Sequence, residues 1–280
     1  MVTRIDHFVT DVLRLYGDSK IPIDPLMISE NESLRVELLP NADRRFGRIE
    51  FVKEAGNFIA YCSEAIKHDD SVARFSLCHE LGHFFIEEHR QLLINGKSHY
   101  SKSGFICDVL LEREADEFAA KLLIPPMFFK EHIGQNQRLS LDGLINLANL
   151  CKSSLTSACI RYIKSDIEPC ALVMISKKEG ILKYSPSECA RKGGFANLGH
   201  KTIPETSVVR KAIQAGTTKG SVHKAQSSTR EWFSSKRREA QLWEEAFVLG
   251  NTGISLVMLY LEFAEYQDGD NFLPSERYNR

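Results

Sequence analysis

Residues 78–85 read Cys-His-Glu-Leu-Gly-His-Phe-Phe, which places two histidines four positions apart around a glutamate in an apolar stretch. Residues four apart on a helix share one face, so the imidazoles of His79 and His83 can bind the same zinc ion. Glu80 then projects toward that ion, where a carboxylate serves as a general base on water. The pattern predicts hydrolysis of an amide bond.

The residues around this stretch favour a helix. Asp69, Asp70 and Ser71 offer N-capping oxygens, and apolar residues recur with helical period from Val72 to Phe85. We therefore expect a helix over residues 71–88. The competing interpretation is a buried helix whose histidines only form hydrogen bonds, which is costly because a buried glutamate between them also needs a partner.

A catalytic zinc site keeps three protein ligands and one open position, so a third ligand is required. His89 lies six residues after His83, but the motif with that spacing has a helix-breaking glycine midway, and this chain has Ile86 there. Without a break in the helix, His89 is expected to point away from the metal.

Glu112 is the better third ligand. It lies on a helix expected to end at the Pro125–Pro126 pair, where it shares one face with Asp116 and several apolar residues. Binding of zinc would explain why the acidic Glu112 lies on a largely apolar face. Asp116, one turn further on, is placed to accept an N–H from a ligand histidine. Glu114 is the competing ligand, ranked second because it leaves the four-residue spacing of Glu112 and Asp116 unused.

Segments 75–83 and 112–125 together resemble the paired motifs of the ImmA/IrrE metallopeptidases, and the resemblance extends over roughly residues 1–165. It implies a zincin-like domain with one Zn²⁺ per chain on His79, His83 and Glu112, and Glu80 as the base. It also implies a substrate class, bacterial helix-turn-helix repressors that are cut at few sites in response to stress.

Composition is that of an ordinary soluble chain. The 280 residues are 43% hydrophobic with a net charge of −1, so no overall affinity for polyanions is expected. No segment suggests a membrane span, and charge interrupts the apolar residues at the N-terminus, unlike a signal peptide. Seven cysteines without a Cys-x-x-Cys pair indicate reduced cytosol. A cytoplasmic protein is expected.

Other local patterns complete the first domain, expected at residues 1–165. A helix is predicted near 3–17 and strands at 34–38, 47–52 and 57–61, and an edge strand beside the zinc helix could receive a substrate as an added strand. In the loop 90–105, His99 and Tyr100 are either oxyanion stabilisers or, as we favour, ordinary loop residues.

Residues 139–164 resemble a helix-turn-helix superficially. The second helix offers few basic side chains, namely Lys152, Arg161 and Lys164, and the turn has no glycine. Two helices that close the protease domain are therefore favoured over a DNA-binding unit.

A second domain is expected at residues 166–280. Runs at 171–175 and 254–261 predict buried strands, with helical segments near 205–215 and 236–248, which indicates a smaller α/β module. This domain order resembles ImmA/IrrE family members with a GAF-like sensor, including the CapP proteases of antiphage systems. In that branch, the resemblance implies that the sensor registers nucleic acid and licenses cleavage of a repressor.

Charge is segregated within this module. Residues 177–238 contain 14 Lys and Arg against 4 Asp and Glu, and residues 239–276 contain no Lys or Arg against 8 acids. The basic stretch could bind single-stranded nucleic acid, with Trp232, Phe233 and Tyr184 stacking on bases. Alternatively, the two stretches pair with each other. The candidate contacts are Arg230, Trp232, Lys236, Arg237 and Arg238.

Cys107 lies five positions before Glu112 and could reach the open zinc position as an inhibitory ligand. Cys78 is a poorer candidate. For either cysteine, the simpler interpretation is that it packs in the core as a small hydrophobic residue.

The sequence as a whole predicts an α+β cytoplasmic zinc endopeptidase that cleaves a protein partner under the control of its C-terminal domain. The alternative is a non-catalytic DNA-binding or nucleic-acid-sensing regulator with a structural zinc. An intact Glu80 argues against the alternative, because a structural site has no use for a carboxylate aimed at water.

Overall fold

The structure is a computed structural model of the chain. It describes residues 3–16, 21–96, 106–125, 129, 139–199, 202–216, 220–233, 241–249 and 253–262. The chain forms two compact units, the first from Met1–Pro126 with Leu147–Ser157 and the second from Met127–Asn146 with Ala158–Arg280. Both mix helices with a small sheet, which confirms the α+β class. The boundary at 165/166 stays a prediction.

The first unit combines a helical layer with a three-stranded sheet. Its sheet has the order β1-β3-β2, with β1 parallel and β2 antiparallel to β3, so that β2 is an edge strand. The elements are α1 (Arg4–Tyr16), α2 (Pro25–Asn31), β1 (Arg35–Leu39), β2 (Gly47–Val52), β3 (Asn57–Ser63), a 3₁₀ helix (Glu64–His68), α3 (Ser71–Phe85), α4 (Glu87–Ile94) and α5 (Ile106–Leu123).

Close packing of α3 on α5 holds this unit together. A Cβ added to Gly82 of α3 would lie only 3.1 Å from the Cα of Ala115 on α5, so the two backbones approach closely at this point. Ala115, Phe118 and Leu122 of α5 are fully buried, as are Leu77 and Leu81 of α3. The helix that carries the histidine motif is therefore fixed against the helix that carries Glu112.

The helix that carries the histidine motif ends earlier than expected. We predicted one helix over residues 71–88, but α3 ends at Phe85, Ile86 is extended at φ −76° and ψ 110°, and α4 begins at Glu87. A glycine is thus not needed for the break, because these dihedrals are open to any residue. Glu87 and Glu88 favour a new helix here, since acids stabilise the first turn.

The second unit contains a five-stranded antiparallel sheet of order β5-β4-β8-β7-β6. Its strands are β4 (Cys170–Ser176), β5 (Gly180–Pro186), β6 (Val222–Ser228), β7 (Gln241–Leu249) and β8 (Ile254–Leu261), and its helices are α8 (Glu188–Lys192), α9 (Val208–Gln214) and α10 (Thr229–Trp232). Helices α6 (Leu141–Leu150) and α7 (Leu155–Ser165) contribute residues to both units.

The helix predicted near 236–248 is wrong for its described part, because residues 241–249 form strand β7 between β8 and β6. Glu244, Glu245 and Ala246 favour helices locally, but sheet pairing prevails over such weak preferences. Both glutamates are buried. Glu245 accepts the backbone N–H of Leu141 at 2.6 Å, and Glu244 accepts the hydroxyl of Ser207.

Candidate metal centre

Helix α3 presents the two histidines of the motif side by side. Asp70 caps its N-terminus and accepts the backbone N–H groups of Val72 and Ala73 at 2.9 and 3.0 Å. One turn apart, the Nε2 atoms of His79 and His83 lie 3.1 Å from each other. The helical spacing inferred from the sequence therefore brings both imidazoles to one point.

Helix α5 brings Glu112 to the same point. Its carboxylate lies 3.1 Å from Nε2 of His79 and 3.5 Å from Nε2 of His83. Ligand atoms of these three residues all lie within 4.8 Å of one another. Among the described residues, this is the group of His, Cys, Asp and Glu that could hold a metal ion.

The separations fit tetrahedral zinc. Two ligand atoms bound to one zinc at about 2.0–2.1 Å with tetrahedral angles are about 3.3 Å apart. The two Nε2 atoms are 3.1 Å apart, and Glu112 approaches His79 at 3.1 Å with Oε2 and His83 at 3.5 Å with Oε1; with one ligand atom per residue, all separations are within 4.8 Å. Two imidazole nitrogens and one carboxylate are also the donor set of catalytic zinc sites. The residues present thus fit the implied metal in both distance and chemistry.

Asp116 lies behind His79, one turn after Glu112. Its Oδ1 is 2.9 Å from Nδ1 of His79, on the side of the ring away from Glu112. If Nδ1 donates its proton to this carboxylate, Nε2 keeps its lone pair for a metal. Burial lowers the pKa of His79, but its hydrogen bonds to Asp116 and Glu112 raise that pKa to about 10.

Glu114, the competing ligand, points elsewhere. It contacts Nε2 of His89 at 3.1 Å and Nη2 of Arg4 at 2.9 Å. His89 is also placed differently than expected, because the break at Ile86 turns it back toward α3. Its Nδ1 lies 3.2 Å from Nδ1 of His83. The expectation that His89 points away from the site is therefore wrong, although it faces the outer nitrogen of His83.

Glu80 lies against the first residue of β2. A Cβ added to Gly47 would lie 2.6 Å from Oε1 of Glu80, so only glycine leaves the carboxylate its present position. Burial raises the pKa of Glu80 to about 7, with the charge of Glu112 adding to the shift and that of His79 opposing it. A carboxyl with this pKa can both accept and release a proton near neutral pH.

A cleft of about 920 Å³ opens over these residues. Strand β2 forms one wall, and the histidines, Glu80, Glu112 and Asp116 lie along it. Phe46, Phe75 and Val72 add apolar surface. The cleft is thus an open channel beside a sheet edge, a shape suited to an extended chain.

Several residues proposed from the sequence lie outside this centre or outside the described residues. His99, Tyr100, Lys236, Arg237 and Arg238 are not among the described residues, and for Cys107 the side chain is not. Cys78 is buried, and burial raises the pKa of its thiol to about 12, which disfavours a metal-binding thiolate.

Two of the three proposed stacking residues of the second unit are core residues, and the third, Tyr184, is partly buried against that core. Trp232 and Phe233 are each 2% exposed, and Nε1 of Trp232 donates to Glu244 at 3.4 Å. Bases cannot reach these rings, so their role in nucleic-acid contact is corrected. Arg230 is exposed.

Residues 65–162 match the family model described as Peptidase_M78, IrrE N-terminal-like domain. The chain therefore contains an IrrE N-terminal-like domain, and the resemblance to the ImmA/IrrE family is confirmed. The match includes His79, Glu80, His83, Glu112 and Asp116, together with α6 and α7 as far as residue 162. The match of this domain to a peptidase family supports a metallopeptidase.

A solved structure titled "Mycobacterium tuberculosis transcriptional regulator" is similar in fold, with a TM-score of 0.53 and 10% sequence identity over 91% of this chain and 76% of that chain. At this identity the likeness concerns the fold alone. The comparison with curated proteins gave no match. In the described part of the chain, no helix is long and apolar enough to span a membrane.

Proposed function

We propose that this chain is a zinc-dependent endopeptidase that cleaves a protein substrate. The observation that carries the proposal is the meeting of His79, His83 and Glu112 at one point, with Glu80 beside them on the wall of an open cleft. Three protein ligands leave one coordination position open, which distinguishes catalytic from structural zinc sites.

The residues have distinct roles in this proposal. His79, His83 and Glu112 would hold zinc, which acts as a Lewis acid on the scissile carbonyl and lowers the pKa of water. Glu80 accepts the proton of the attacking water and passes it to the leaving amine. Asp116 orients His79. Together these roles make a gluzincin-like arrangement of His-Glu-x-x-His and a downstream glutamate.

Strand β2 is proposed to bind the substrate backbone. It pairs with β3 on one side only, so the opposite edge can hydrogen-bond an extended peptide. Gly47 at its start contacts Glu80, so a chain added along β2 passes the catalytic carboxylate. Such a site requires an unfolded or extended segment in the substrate.

The finer function is proposed from the resemblance. A helix-turn-helix repressor is the proposed substrate, with a stress signal such as one in antiphage defence registered by a GAF-like C-terminal domain in a cytoplasmic protein. The antiparallel sheet and the exposed basic side chains of the second unit support an anionic ligand such as single-stranded nucleic acid. Binding would rest on charge rather than on Trp232 and Phe233.

The test is zinc content and hydrolysis for the wild type, Glu112→Ala, Glu80→Gln and a control, Glu117→Ala. Glu117 lies on the same helix but pairs with Lys121 at 2.6 Å, away from the centre. We expect about one zinc per chain, lost only in Glu112→Ala. Glu80→Gln should keep zinc and lose cleavage of any protein that the wild type cuts. Folded wild type that fails to bind added zinc would overturn the proposal.

A second candidate is a nucleic-acid-binding regulator with a structural zinc, favoured by the fold likeness to a protein titled a transcriptional regulator. The two candidate functions predict different results for the Glu80→Gln variant. Zinc-loaded Glu80→Gln should act as a trap that retains intact substrate while the wild type releases fragments. If Glu80→Gln and wild type regulate and bind nucleic acid alike and no fragments form, the second candidate is correct.

A further inference from the structure

His89 occupies a buried position between the metal centre and α5. It is 0% exposed on α4 and touches a charged or polar group with each ring nitrogen. Its Nδ1 lies 3.2 Å from Nδ1 of His83, and its Nε2 lies 3.1 Å from Oε2 of Glu114. The roles proposed above for the metal centre do not use either His89 or Glu114.

The direction of these hydrogen bonds follows from the carboxylate at the end. Arg4 binds both oxygens of Glu114 at 2.9 Å, which keeps the carboxylate ionised and able only to accept. The Nε2 of His89 must therefore donate to Glu114. In a neutral His89, donation through Nε2 leaves Nδ1 as the acceptor, and Nδ1 of His83 then donates to it. His83 is then left with its lone pair on Nε2, which faces His79 and Glu112.

We propose that His89 and Glu114 are positioning residues that hold His83 in the tautomer able to ligate zinc. This inference rests on the proposed function, since it concerns a ligand of the same metal. His79 receives the equivalent support from Asp116 directly. The two ligand histidines thus reach the same state by different routes, one through a partly exposed aspartate and one through a buried imidazole and Glu114.

The route through His89 suits the burial of His83. The His83 side chain is 3% exposed, so solvent is not at hand to accept the proton on its Nδ1. An imidazole can both accept that proton and donate to a more distant acid, which a carboxylate in the same place cannot do. The break at Ile86 is what allows α4 to bring His89 into this position.

The test compares His89→Leu with His89→Asn in the full chain. Leucine removes the acceptor, whereas the side-chain oxygen of asparagine can lie near the place of Nδ1 and accept from His83. Zinc affinity is measured by competition with a chelating dye, because removal of such supporting partners weakens metal binding by about 10–100-fold. We expect a loss in this range for His89→Leu and recovery of most of it in His89→Asn.

Two further measurements address folding and tautomer. Circular dichroism and thermal unfolding show whether each variant is folded. ¹⁵N-histidine NMR of the metal-free protein reports which nitrogen of His83 carries the proton, which a merely structural role would not change. Wild type should show Nδ1–H. In His89→Leu we expect a mixture of the two His83 tautomers. If His89→Leu does not fold, Glu114→Ala changes a partly exposed side chain instead, and it should give the same mixture and weaker zinc binding.

The outcomes separate this inference from the proposed function. Wild type that does not bind zinc overturns both. Wild type that binds zinc, with equal affinity and the same His83 tautomer in folded His89→Leu, overturns this inference alone and leaves the endopeptidase proposal standing. Equal loss in His89→Leu and His89→Asn without a change of tautomer would also overturn it, since packing rather than hydrogen bonding would then be responsible.

Discussion

Replacement of Gly47 by alanine should separate catalysis from metal binding in this centre. The new Cβ would lie 2.6 Å from Oε1 of Glu80 and 3.2 Å from the backbone oxygen of Ser76. Gly47 begins strand β2 opposite Cys62, so the strand cannot move away without loss of its pairing to β3. The carboxylate of Glu80, at the end of a flexible side chain, is the group that must shift.

The size of the shift follows from ordinary contact distances. A van der Waals contact at a Cβ begins near 3.4 Å, so Oε1 must move by about 0.8 Å. A misplacement of about 1 Å at a reacting group costs about 10²-fold in rate. Zinc ligation should not change, because the atoms nearest to the new methyl group belong to Glu80 and Ser76 rather than to His79, His83 or Glu112. We therefore expect kcat to fall by about 10²-fold at full zinc occupancy.

The assay is cleavage of a proteome-derived peptide library followed by mass spectrometry, with zinc measured on the same samples. Glu80→Gln provides the lower limit of activity. Cleavage by Gly47→Ala at the wild-type rate, with zinc bound, would refute the contact between β2 and the general base. Loss of zinc together with activity would refute the separation of the two functions.

Three further predictions follow from packing and burial. Gly82→Ala should destabilise the protein by about 1–3 kcal/mol in urea unfolding, because its Cβ would meet the α5 backbone, whereas the nearest atoms to the helical control Gly143→Ala belong to the side chains of Leu139 and Ser140, so the control should cost less. Trp232→Ala should cost about 3–5 kcal/mol in unfolding of the second unit without weakening nucleic-acid binding, as measured by denaturation and fluorescence anisotropy. Iodoacetamide at neutral pH should label Cys189 first among the six described cysteines, because it is only partly buried whereas the other five are buried and shielded; burial raises the pKa of all six thiols. Peptide mass spectrometry that found Cys159 labelled equally fast in the folded protein would contradict this.

The sequence predicted the parts of the site that depend on helical spacing. His79 with His83 and Glu112 with Asp116 are pairs four residues apart, and each pair faces the centre because a helix repeats every 3.6 residues. The ranking of Glu112 over Glu114 used the same spacing. Local geometry was enough here, because each helix contributes its groups from a single turn.

The position of His89 could not be predicted from local sequence patterns. Its contact with His83 depends on the extended conformation of Ile86, and no single residue type at that position requires a break. The two acids at the start of α4 were a signal for a new helix, but the direction in which α4 leaves α3 depends on tertiary packing. The partner of His89, Glu114, comes from α5, which is distant in sequence.

The error at residues 241–249 has the same origin. Glu244 and Glu245 are ordinary helix-forming residues when exposed, yet here strand pairing places their carboxylates against backbone N–H groups and a hydroxyl inside the second unit. Burial of two adjacent acids cannot be read from a pattern that assigns acids to the surface. Their hydrogen-bond partners include Leu141, Ser207 and Val209, which come from segments distant in sequence.

These cases indicate how the chemistry and the selectivity of this protein are encoded. The catalytic groups lie on two helices and could be replaced only by residues of the same type at the same spacing. The surface proposed to bind the substrate depends instead on the pairing of β2 with β3, which sets Gly47 against Glu80. If the proposed function is correct, changes in the exposed side chains of β2, such as Arg48, should alter which protein is cut without altering the reaction, whereas Gly47 serves both and should tolerate no side chain.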